Sequence, residues 1–274
     1  MALAILGVLL IITAGVLYLV QRSQERKRRD IATTETMSAS QLAGLATSVS
    51  GELGDTTRFR QVVAVRGNTR CDSPLTSEAA SEPCVVFETT VTRDYEEVYS
   101  ETDSETGRSE ERTRRSSEVV SQNRRSVEFW VEDDSGRVKV DPTGASVDLM
   151  QVVDRFEPGE PSLLGGSISI GGLSINLGGG GFRGGGSRTI GYRVREKTLP
   201  VGRRVYVLGE ASTGSGELMI HKSVERGKRF LISLKSDEEL VRSAGKAARV
   251  LYFSAIGSGA LGVVLLVVGL ATRR

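Results

Sequence analysis

The fold is decided by two stretches near the ends of the chain, ALAILGVLLIITAGVLYLV at Ala2–Val20 and VLYFSAIGSGALGVVLLVVGL at Val250–Leu270. Neither stretch contains a charged residue. At a rise of 1.5 Å per residue, each would form a helix of about 30 Å, which matches the hydrocarbon thickness of a bilayer. The alternative is a pair of buried core helices, but a core helix rarely extends this far without a polar stripe. The sequence therefore predicts an integral membrane protein with two transmembrane helices, at residues 2–20 and 250–270.

The first apolar stretch differs from a cleaved signal peptide. No Lys or Arg precedes it, and no A-x-A cleavage site lies directly before the charged cluster that follows. A signal peptide combines a basic start, a shorter apolar segment and such a site. We therefore interpret residues 2–20 as an uncleaved anchor.

Basic residues concentrate on the inner sides of both apolar stretches. They are Arg22, Arg26, Lys27, Arg28 and Arg29 after the first stretch, and Lys228, Arg229, Lys235, Arg242, Lys246 and Arg249 before the second. Beyond the second stretch the sequence shows only Arg273 and Arg274. The positive-inside rule then predicts that the central domain lies in the cytoplasm, with both termini on the other side. The Arg cluster fits a topology determinant, and binding of anionic lipid headgroups is the alternative.

Charge balance and metal-ligating residues exclude several classes of function. The chain has 36 basic and 34 acidic residues, so it lacks the excess positive charge of a nucleic-acid-binding protein. It has two cysteines, Cys71 and Cys84, and one histidine, His221. A structural zinc ion needs four such ligands and a RING about eight, so we predict no metal site, and no cofactor is expected. The cysteines fit either a loop-closing disulfide or two buried thiols, and a cytoplasmic location favours thiols.

Residues 38–236 have the pattern of a soluble α+β domain. Alternating runs predict strands, for example at Phe59–Gly67 and Cys84–Val98. A hairpin is predicted from Arg203–Ser212 and Gly216–Val224, which flank a short Thr-Gly-Ser turn. We expect mainly antiparallel strands with short helices, partly closed into a sandwich or barrel.

Two capping boxes mark the ends of this domain. Ser38–Gln41 and Ser236–Glu239 each place Gln or Glu three residues after Ser, which favours the start of a helix. The second of these helices, residues 237–249, is predicted to connect without a break to the membrane helix. Residues 21–37 are predicted to be a basic juxtamembrane linker, and Ile31–Ser40 is expected to be extended.

Two segments inside the domain have low complexity. Residues 101–125 mix charges of both signs with almost no apolar side chain, which predicts a long exposed hairpin tip or a disordered insertion. Residues 165–188 are rich in glycine. A phosphate-binding P-loop would need Gly-Lys-Ser/Thr before a helix, and that sequence does not occur, so we interpret this segment as a flexible insertion.

A G-x-G-x-x-G pattern at Gly257–Gly262 lies inside the second apolar stretch, where a dinucleotide cannot reach it. Small residues at such positions allow two membrane helices to approach closely. The partner would be the first helix, which carries Gly7 and Gly15, or a second copy of the protein.

Four residues are the candidates for catalysis, namely Asp133, Asp134, Glu210 and His221. A hydrolase would need at least two of them to converge in one cleft. The aspartates also suit a turn with the glycine that follows, and a solvent-facing or hydrogen-bonded His221 is the simpler interpretation. We therefore assign no catalytic, cofactor-binding or metal-binding residue.

Several segments, taken in order, resemble the GIDE or BAM ("beside a membrane") domain family. They are SPL at Ser73–Leu75, PCV at Pro83–Val85, TTVTRDY at Thr89–Tyr95, FWVEDDSGRVKVDP at Phe129–Pro142, VYVLGE at Val205–Glu210 and FLISLKSDEELVRS at Phe230–Ser243. That domain lies between two membrane helices in mitochondria-anchored RING ubiquitin ligases of the mulan (MAPL) type and in their chloroplast relatives. The resemblance covers nearly the whole chain outside the two low-complexity segments.

The resemblance implies a domain that binds or senses partners, without the catalytic module. In those ligases the RING follows the second membrane helix, whereas this sequence ends four residues after it, at Arg274. Ligase activity is therefore not carried over. RING-less members are typical of bacteria and archaea, which implies a prokaryotic cytoplasmic membrane. In mitochondria the domain faces the intermembrane space, whereas the charges here predict the cytoplasm.

Three functional hypotheses follow. The first is a membrane-anchored binding or regulatory module that recruits an unidentified protein through its β-rich domain. The second is a structural assembly component that forms homo-oligomers through its membrane helices. The third is a hydrolase or a part of a ubiquitin-ligase-type system. The expected partners are the lipid bilayer and a protein, and no nucleic acid.

Overall fold

The computed structural model describes residues 2–53, 59–102, 109–159, 163–164, 167–170, 173–176, 187–214 and 216–271. In chain order the elements are α1 Ala2–Thr33, β1 Thr36–Met37, α2 Ala39–Leu53, β2 Arg60–Arg70, β3 Leu75–Thr76, β4 Pro83–Thr102, β5 Ser109–Ser126, β6 Phe129–Asp133, β7 Gly136–Val140, β8 Ser146–Val147, β9 Met150–Pro158, β10 Leu163–Leu164, β11 Ser167–Ile170, β12 Leu173–Asn176, β13 Ser187–Pro200, β14 Arg204–Ser212, β15 Met219–His221, β16 Leu231–Ser233 and α3 Asp237–Ala271. The chain divides into two compact units. Unit 1 comprises Met1–Arg66 and Val205–Arg274, and unit 2 comprises Gly67–Arg204.

Unit 1 is built around α1 and α3, the two helices that are long and apolar enough to cross a membrane. On α3 the buried positions include Ala248, Ala255, Gly262 and Gly269, which repeat every seven residues. A seven-residue repeat keeps one face of a helix turned toward its partner. Because these side chains are small, the backbones of α1 and α3 come into direct contact.

One such backbone contact lies at Gly7 and Gly262. A β-carbon at position 7 would be 2.7 Å from the carbonyl oxygen of Gly262 and 2.7 Å from the amide nitrogen of Leu266. Gly15 has nothing within 4 Å of its β-carbon position. The expected pairing of the two apolar stretches is therefore confirmed through Gly7, and Gly15 takes no part in it.

The predicted linker at residues 21–37 is different in the structure. Helix α1 continues to Thr33, and the extended backbone is limited to β1. The Arg, Lys, Glu and Gln residues of this segment are good helix formers, and Glu25 pairs with Arg28 one turn later at 3.1 Å. At the end of the helix, Ile31 is only 2% exposed, so tertiary packing also stabilises the added turns.

Both predicted capping boxes are present. The amide of Gln41 donates to the Ser38 hydroxyl at 3.3 Å, and the Gln41 side chain accepts from the Ser38 amide at 2.9 Å. Ser236 and Glu239 make the same reciprocal pair, each bond at 3.2 Å. Helix α3 then runs without a break from Asp237 to Ala271, as predicted.

The ends of α1 and α3 share a hydrophobic core with the strands of unit 1. Ile31 of α1 and Leu240 of α3 pack with residues of β2, β14 and β16, among them Ala64, Tyr206 and Leu231. Strand β14 pairs antiparallel with β15 and β16, which confirms the predicted hairpin over the Thr-Gly-Ser turn. Strand β1 is parallel to β2.

Unit 2 contains a sheet in the order β9-β13-β4-β5, all antiparallel. Strands β6 and β7 form the predicted hairpin, with Asp133 opposite Gly136. Strand β9 was not predicted from the sequence. The predicted mainly antiparallel α+β architecture between two long apolar helices is confirmed, whereas closure into a sandwich or barrel stays a prediction.

The two low-complexity segments have different outcomes. Residues 101–102 belong to β4 and residues 109–125 to its partner β5, so the hairpin alternative is correct, and residues 103–108 lie outside the described part. In the glycine-rich segment, β11 and β12 pair antiparallel, and β11 also pairs antiparallel with β10, which comes directly before the segment. The remaining residues of that segment, 165–166, 171–172 and 177–186, lie outside the description.

Two separate glycine-to-valine variants of α1 test its backbone contact with α3. In a background with Cys71 and Cys84 changed to serine, cysteines at Ala14 and Gly259 should form a disulfide, because the β-carbon positions are 3.5 Å apart. Gly7→Val should slow the formation of this disulfide at least several-fold. The added side chain would overlap the backbone of α3, and the overlap is relieved only if the helices separate, which costs about 1–3 kcal/mol. The measurement is the rate of oxidation, followed by gel mobility.

Gly15→Val is the matched control, because it adds the same side chain to the same helix in open space. It should leave the rate of cross-linking unchanged. Equal rates for both variants would contradict a backbone contact at Gly7.

Candidate functional site

Asp133 is a turn residue in this structure. Its Oδ1 accepts hydrogen bonds from the amide of Ser135 at 2.8 Å, from the Ser135 hydroxyl at 2.7 Å and from the amide of Gly136 at 3.1 Å. Gly136 supplies a positive φ of 155° at the close of the β6–β7 turn. The simpler interpretation of the aspartates is therefore correct for Asp133, and Asp134 is exposed in the same turn.

Glu210 and His221 are brought together in unit 1, directly opposite each other on β14 and β15. The Nε2 atom of His221 lies 2.7 Å from the Ser212 hydroxyl, and Nδ1 lies 2.9 Å from the carbonyl oxygen of Lys222. A carbonyl can only accept, so Nδ1 carries the proton and Nε2 accepts from Ser212. Sequence reasoning had left both Ser212 and Ser223 unmarked, because a lone serine in a strand gives no signal.

The carboxylate of Glu210 is bound on one side only. Its Oε2 accepts from the Ser223 hydroxyl at 2.6 Å, while Oε1 is buried without a hydrogen-bond partner among the described residues. The residue is 6% exposed and Ser212 is 7% exposed. His221 is therefore oriented by a backbone carbonyl rather than by this carboxylate, and the serine that it contacts is nearly closed to solvent.

Glu196 is the buried carboxylate that the sequence did not reveal. It is fully buried on β13 and accepts from the amides of Ala79 and Ala80, each at 2.8 Å, and from the Thr89 hydroxyl at 2.9 Å. Burial by itself would raise its pKa, but these hydrogen bonds to the ionised form outweigh burial and lower the pKa below the usual value. One charged side chain thereby holds the β3–β4 loop.

That loop needs such support because its backbone is strained. Ser81 has a φ of 57°, a left-handed conformation that costs free energy for any residue with a side chain. The amide of Glu82 donates to the Ser77 hydroxyl at 3.1 Å, which closes the loop further. Glu196 and Ser77 together stabilise a turn that its own sequence would not favour.

Both cysteines are free thiols in this structure, as in the second alternative left open by the sequence, although of the two only Cys84 is buried. Cys84 is fully buried. Burial, with the nearby charges of Glu196 and Glu82, raises the pKa of its thiol to about 11. Cys71 is half-buried and donates weakly to the carbonyl of Glu128 at 3.6 Å. Cys84 therefore stays protonated and unreactive at neutral pH.

The β4–β5 hairpin carries a ladder of opposite charges. Acidic residues on one strand lie directly opposite basic residues on the other, and the pairs are Glu88 with Arg124, Glu96 with Arg115, Glu97 with Arg114, and Arg93 with Glu118. All four pairs make ion pairs, for example Arg115 Nε to Glu96 Oε1 at 2.8 Å. Directly opposed charges of this kind each stabilise a strand pair by roughly 0.2–1 kcal/mol.

The outer part of this hairpin, which we call the arm, comprises residues 94–102 and 109–119. It exposes three apolar side chains, with Val98 at 53%, Tyr99 at 41% and Val119 at 61%. The guanidinium of Arg114 lies over the Tyr99 ring at 5.9 Å. Tyrosine and arginine are the residue types that dominate binding energy in protein interfaces. The arm therefore offers a structured surface with exposed apolar and cationic groups.

An open cleft of about 590 Å³ lies where α1 ends and α3 begins. Its walls include Ile31 and Ala32 of α1 and Asp237, Val241 and Arg242 of α3. Asp237 forms an ion pair with Arg66 of β2. Within the described part of the chain, no three His, Cys, Asp or Glu side chains come together as a group of metal ligands.

These features define the class of protein as a mostly β-sheet domain that joins two helices long and apolar enough to cross a membrane. The chain belongs to the GIDE family, described as E3 ubiquitin ligase, whose sequence profile matches residues 97–269. The predicted resemblance is thus confirmed.

Two curated relatives from Arabidopsis thaliana are similar to this chain. "E3 ubiquitin-protein ligase SPL1" is 30% identical over 156 residues, which is 56% of this chain and 42% of that protein. "E3 ubiquitin-protein ligase SP1" is 28% identical over 266 residues, or 95% of this chain and 68% of that protein. The chain thus spans less than half the length of the first relative. No solved structure matches.

A glutamine at position 196 tests the buried carboxylate. Glu196→Gln should lower the free energy of unfolding by about 1–3 kcal/mol at pH 7, because the amide cannot accept all three hydrogen bonds without presenting a donor to one of them. Because folding lowers the pKa of Glu196, its ionised carboxylate stabilises the wild-type fold in full above the pKa of the unfolded chain, about 4.5. This stabilisation is lost as the pH falls below that value. Urea unfolding followed by Trp130 fluorescence, between pH 3 and pH 7, measures both effects.

Glu128→Gln is the matched control, because that side chain is 50% exposed and forms an ion pair with Lys139 at 3.0 Å. It should change stability by less than about 0.5 kcal/mol. If Glu196→Gln still lost as much stability as the wild-type protein between pH 7 and pH 3, a group other than Glu196 would be responsible for that loss.

Proposed function

We propose that this protein is a membrane-anchored GIDE module that binds a protein partner and does not itself catalyse a reaction. The main support for the proposal is the arm. Its apolar side chains are exposed, and cross-strand ion pairs stabilise one register of the hairpin that carries them. A surface held in one conformation loses little entropy on binding. The family relationship supports the same module, because the relatives named above share this domain.

Membrane anchoring is supported by what α1 and α3 expose. Large apolar side chains cover their outer faces, with Leu19 at 65%, Phe253 at 64% and Ile5 at 59% exposed. Within the apolar span of α3 the buried positions are the small residues Ala255, Gly262 and Gly269, so most large apolar side chains of both helices stay exposed. A soluble monomer rarely exposes so large an apolar area, whereas a bilayer accommodates it.

A rigid connection between the bilayer and the domain is supported by the length of the helices. Residues 21–33 of α1 and 237–249 of α3 extend about 20 Å beyond the apolar spans at 1.5 Å per residue. We call this part the stalk. Its far end is fixed in the core through Ile31 and Leu240. A change in the strands of unit 1 is thereby coupled to the membrane helices.

A catalytic role has less support from the same residues. Asp133 and Glu196 are occupied by backbone amides, and the ion-paired residues of the hairpin bind each other. The Ser212–His221 hydrogen bond is the only feature among the described candidates that suggests a hydrolase. It lacks a carboxylate on Nδ1, and Ser212 is almost closed to solvent.

Ubiquitin transfer is a property named for the relatives, and we assign to this chain only the shared domain. The sequence contains two cysteines and one histidine, which cannot supply the ligands of a RING. A role in a ligase-type system would therefore require the RING to come from elsewhere. Structural assembly through the small-residue helices is the remaining alternative.

Photo-cross-linking from the arm tests partner binding. With a photo-reactive amino acid at Val98 or Val119 in intact cells, we expect the same protein adduct from both positions, identified by mass spectrometry. The control is Ser135, in the β6–β7 turn, which should give no such adduct. Adducts of twice the mass of this chain would favour self-assembly instead, and identical adducts from all three positions would contradict a binding surface on the arm.

Sidedness is tested with one engineered cysteine. With Ser104 changed to cysteine and both native cysteines changed to serine, intact cells are treated with a membrane-impermeant maleimide. We expect the protein to stay in the membrane fraction in alkaline carbonate and to react only after lysis, because basic residues flank the domain side of both helices. Labelling of intact cells would place the domain outside the cytoplasm, and extraction by carbonate would contradict anchoring.

A further inference from the structure

The loop between β15 and β16 is tied to the stalk by one arginine. Arg229 donates through Nε to the Asp30 carboxylate at 2.8 Å and through Nη2 to the backbone carbonyl of Ser23 at 2.9 Å. Both partners lie on α1, and all three residues belong to unit 1. The end of this loop, residues 222–229, is therefore held against α1 between Asp30 and Ser23. The upper contact is at Asp30, and the lower one, nearer to the apolar stretch, is at the height of Ser23 along the helix.

That height is close to the lipid surface if α1 spans a membrane as proposed. Ser23 lies three residues after Val20, the last residue of the apolar stretch. At 1.5 Å per residue this is about 4.5 Å above the hydrocarbon edge. The headgroup layer on each side of a bilayer is about 5–8 Å thick. The lower contact of the loop with α1, at Ser23, thus lies within the headgroup layer.

The composition of the loop suits such a position. Its sequence is KSVERGKR, in which Lys222, Arg226 and Lys228 are exposed. Val224 is 79% exposed, more than any other large apolar side chain in the described part of the chain. Lys228 is only loosely paired, with Glu225 at 3.8 Å. Gly227 has a φ of +90°, which turns the loop at its tip. The loop has one acidic residue, Glu225, among its basic side chains. An exposed apolar side chain with Lys and Arg nearby can contact a lipid interface while the charged groups reach the phosphates.

Basic side chains of the stalk lie at similar heights. Arg22 and Arg26 of α1 and Lys246 and Arg249 of α3 are exposed within about seven residues of the apolar spans. The acidic residues of α3 lie at its far end, at positions 237–239. Positive charge is thus concentrated at the membrane end of the stalk, on the same side of the bilayer as the loop.

We propose that residues 222–229 form a membrane-contact loop that binds an anionic lipid surface, with Val224 inserted among the headgroups and Lys222, Arg226 and Lys228 on their phosphates. This inference rests on the proposed membrane anchoring. The loop and the stalk together hold unit 1 at a fixed distance from the bilayer. Each basic side chain near an anionic surface favours contact by about fivefold, so the loop should respond to lipid charge.

Fluorescence quenching in liposomes tests this contact. The full chain, with Cys71 and Cys84 changed to serine and Val224 changed to cysteine, is labelled with an environment-sensitive fluorophore and reconstituted. The vesicles contain phosphatidylcholine alone or with about one third phosphatidylglycerol, and a few per cent of lipid with a headgroup spin label. We expect quenching at least threefold stronger at position 224 than at a control site, and stronger in the anionic vesicles.

The control site is Glu217→Cys, which is exposed and lies beyond the other end of β15. A second variant changes Lys222, Arg226 and Lys228 to glutamine and should remove the dependence on phosphatidylglycerol while the protein remains inserted. Weak and equal quenching at positions 224 and 217, in protein that resists carbonate extraction from the vesicles, would overturn the loop contact alone. Protein that carbonate removes from the vesicles would overturn the anchoring on which it rests.

Discussion

The contact between the backbones of α1 and α3 is the constraint on which the rest of unit 1 depends. Gly7 and Gly262 let the helices approach so closely that even one β-carbon would overlap the facing backbone. Because the helices are continuous, this alignment extends to their far ends, where Ile31 and Leu240 enter the core of the strands. A helix pair with larger residues at the seam would separate these two core positions as well.

Charge is used in two different ways along the chain. In the β4–β5 hairpin, ion pairs compensate for a segment with few apolar residues, and the pairs exist because the register places Glu96 and Glu97 opposite Arg115 and Arg114. In the stalk, most cations of α1 and α3 are exposed, and Arg28 pairs with Glu25 of the same helix. The first pattern stabilises a fold, whereas the second leaves positive charge available to a lipid surface.

Buried carboxylates show why composition alone predicts function poorly. Glu196 and Glu210 are both almost fully buried, and neither is marked by a sequence motif. Glu196 receives two backbone amides and a hydroxyl, so its charge is compensated and its role is structural. Glu210 receives one hydroxyl and keeps a buried oxygen without a partner among the described residues. The difference arises from loops distant in sequence, which no local pattern reports.

The sequence by itself determined the two apolar helices, the capping boxes and the hairpin turns, because each depends on residues close together in the chain. It also determined the family, because several short segments occur in a fixed order. Only the tertiary structure decided the helical state of residues 21–33, the pairing of the charged segment and the partners of Glu196. Helix propensity at residues 21–30 is real but weak, and the packing of Ile31 against distant strands decides the conformation. The mixed charges of residues 101–125 fit disorder or a hairpin equally well until β4 supplies the opposite charges in register. Such partners are set by contacts over many residues, so local sequence patterns cannot specify them.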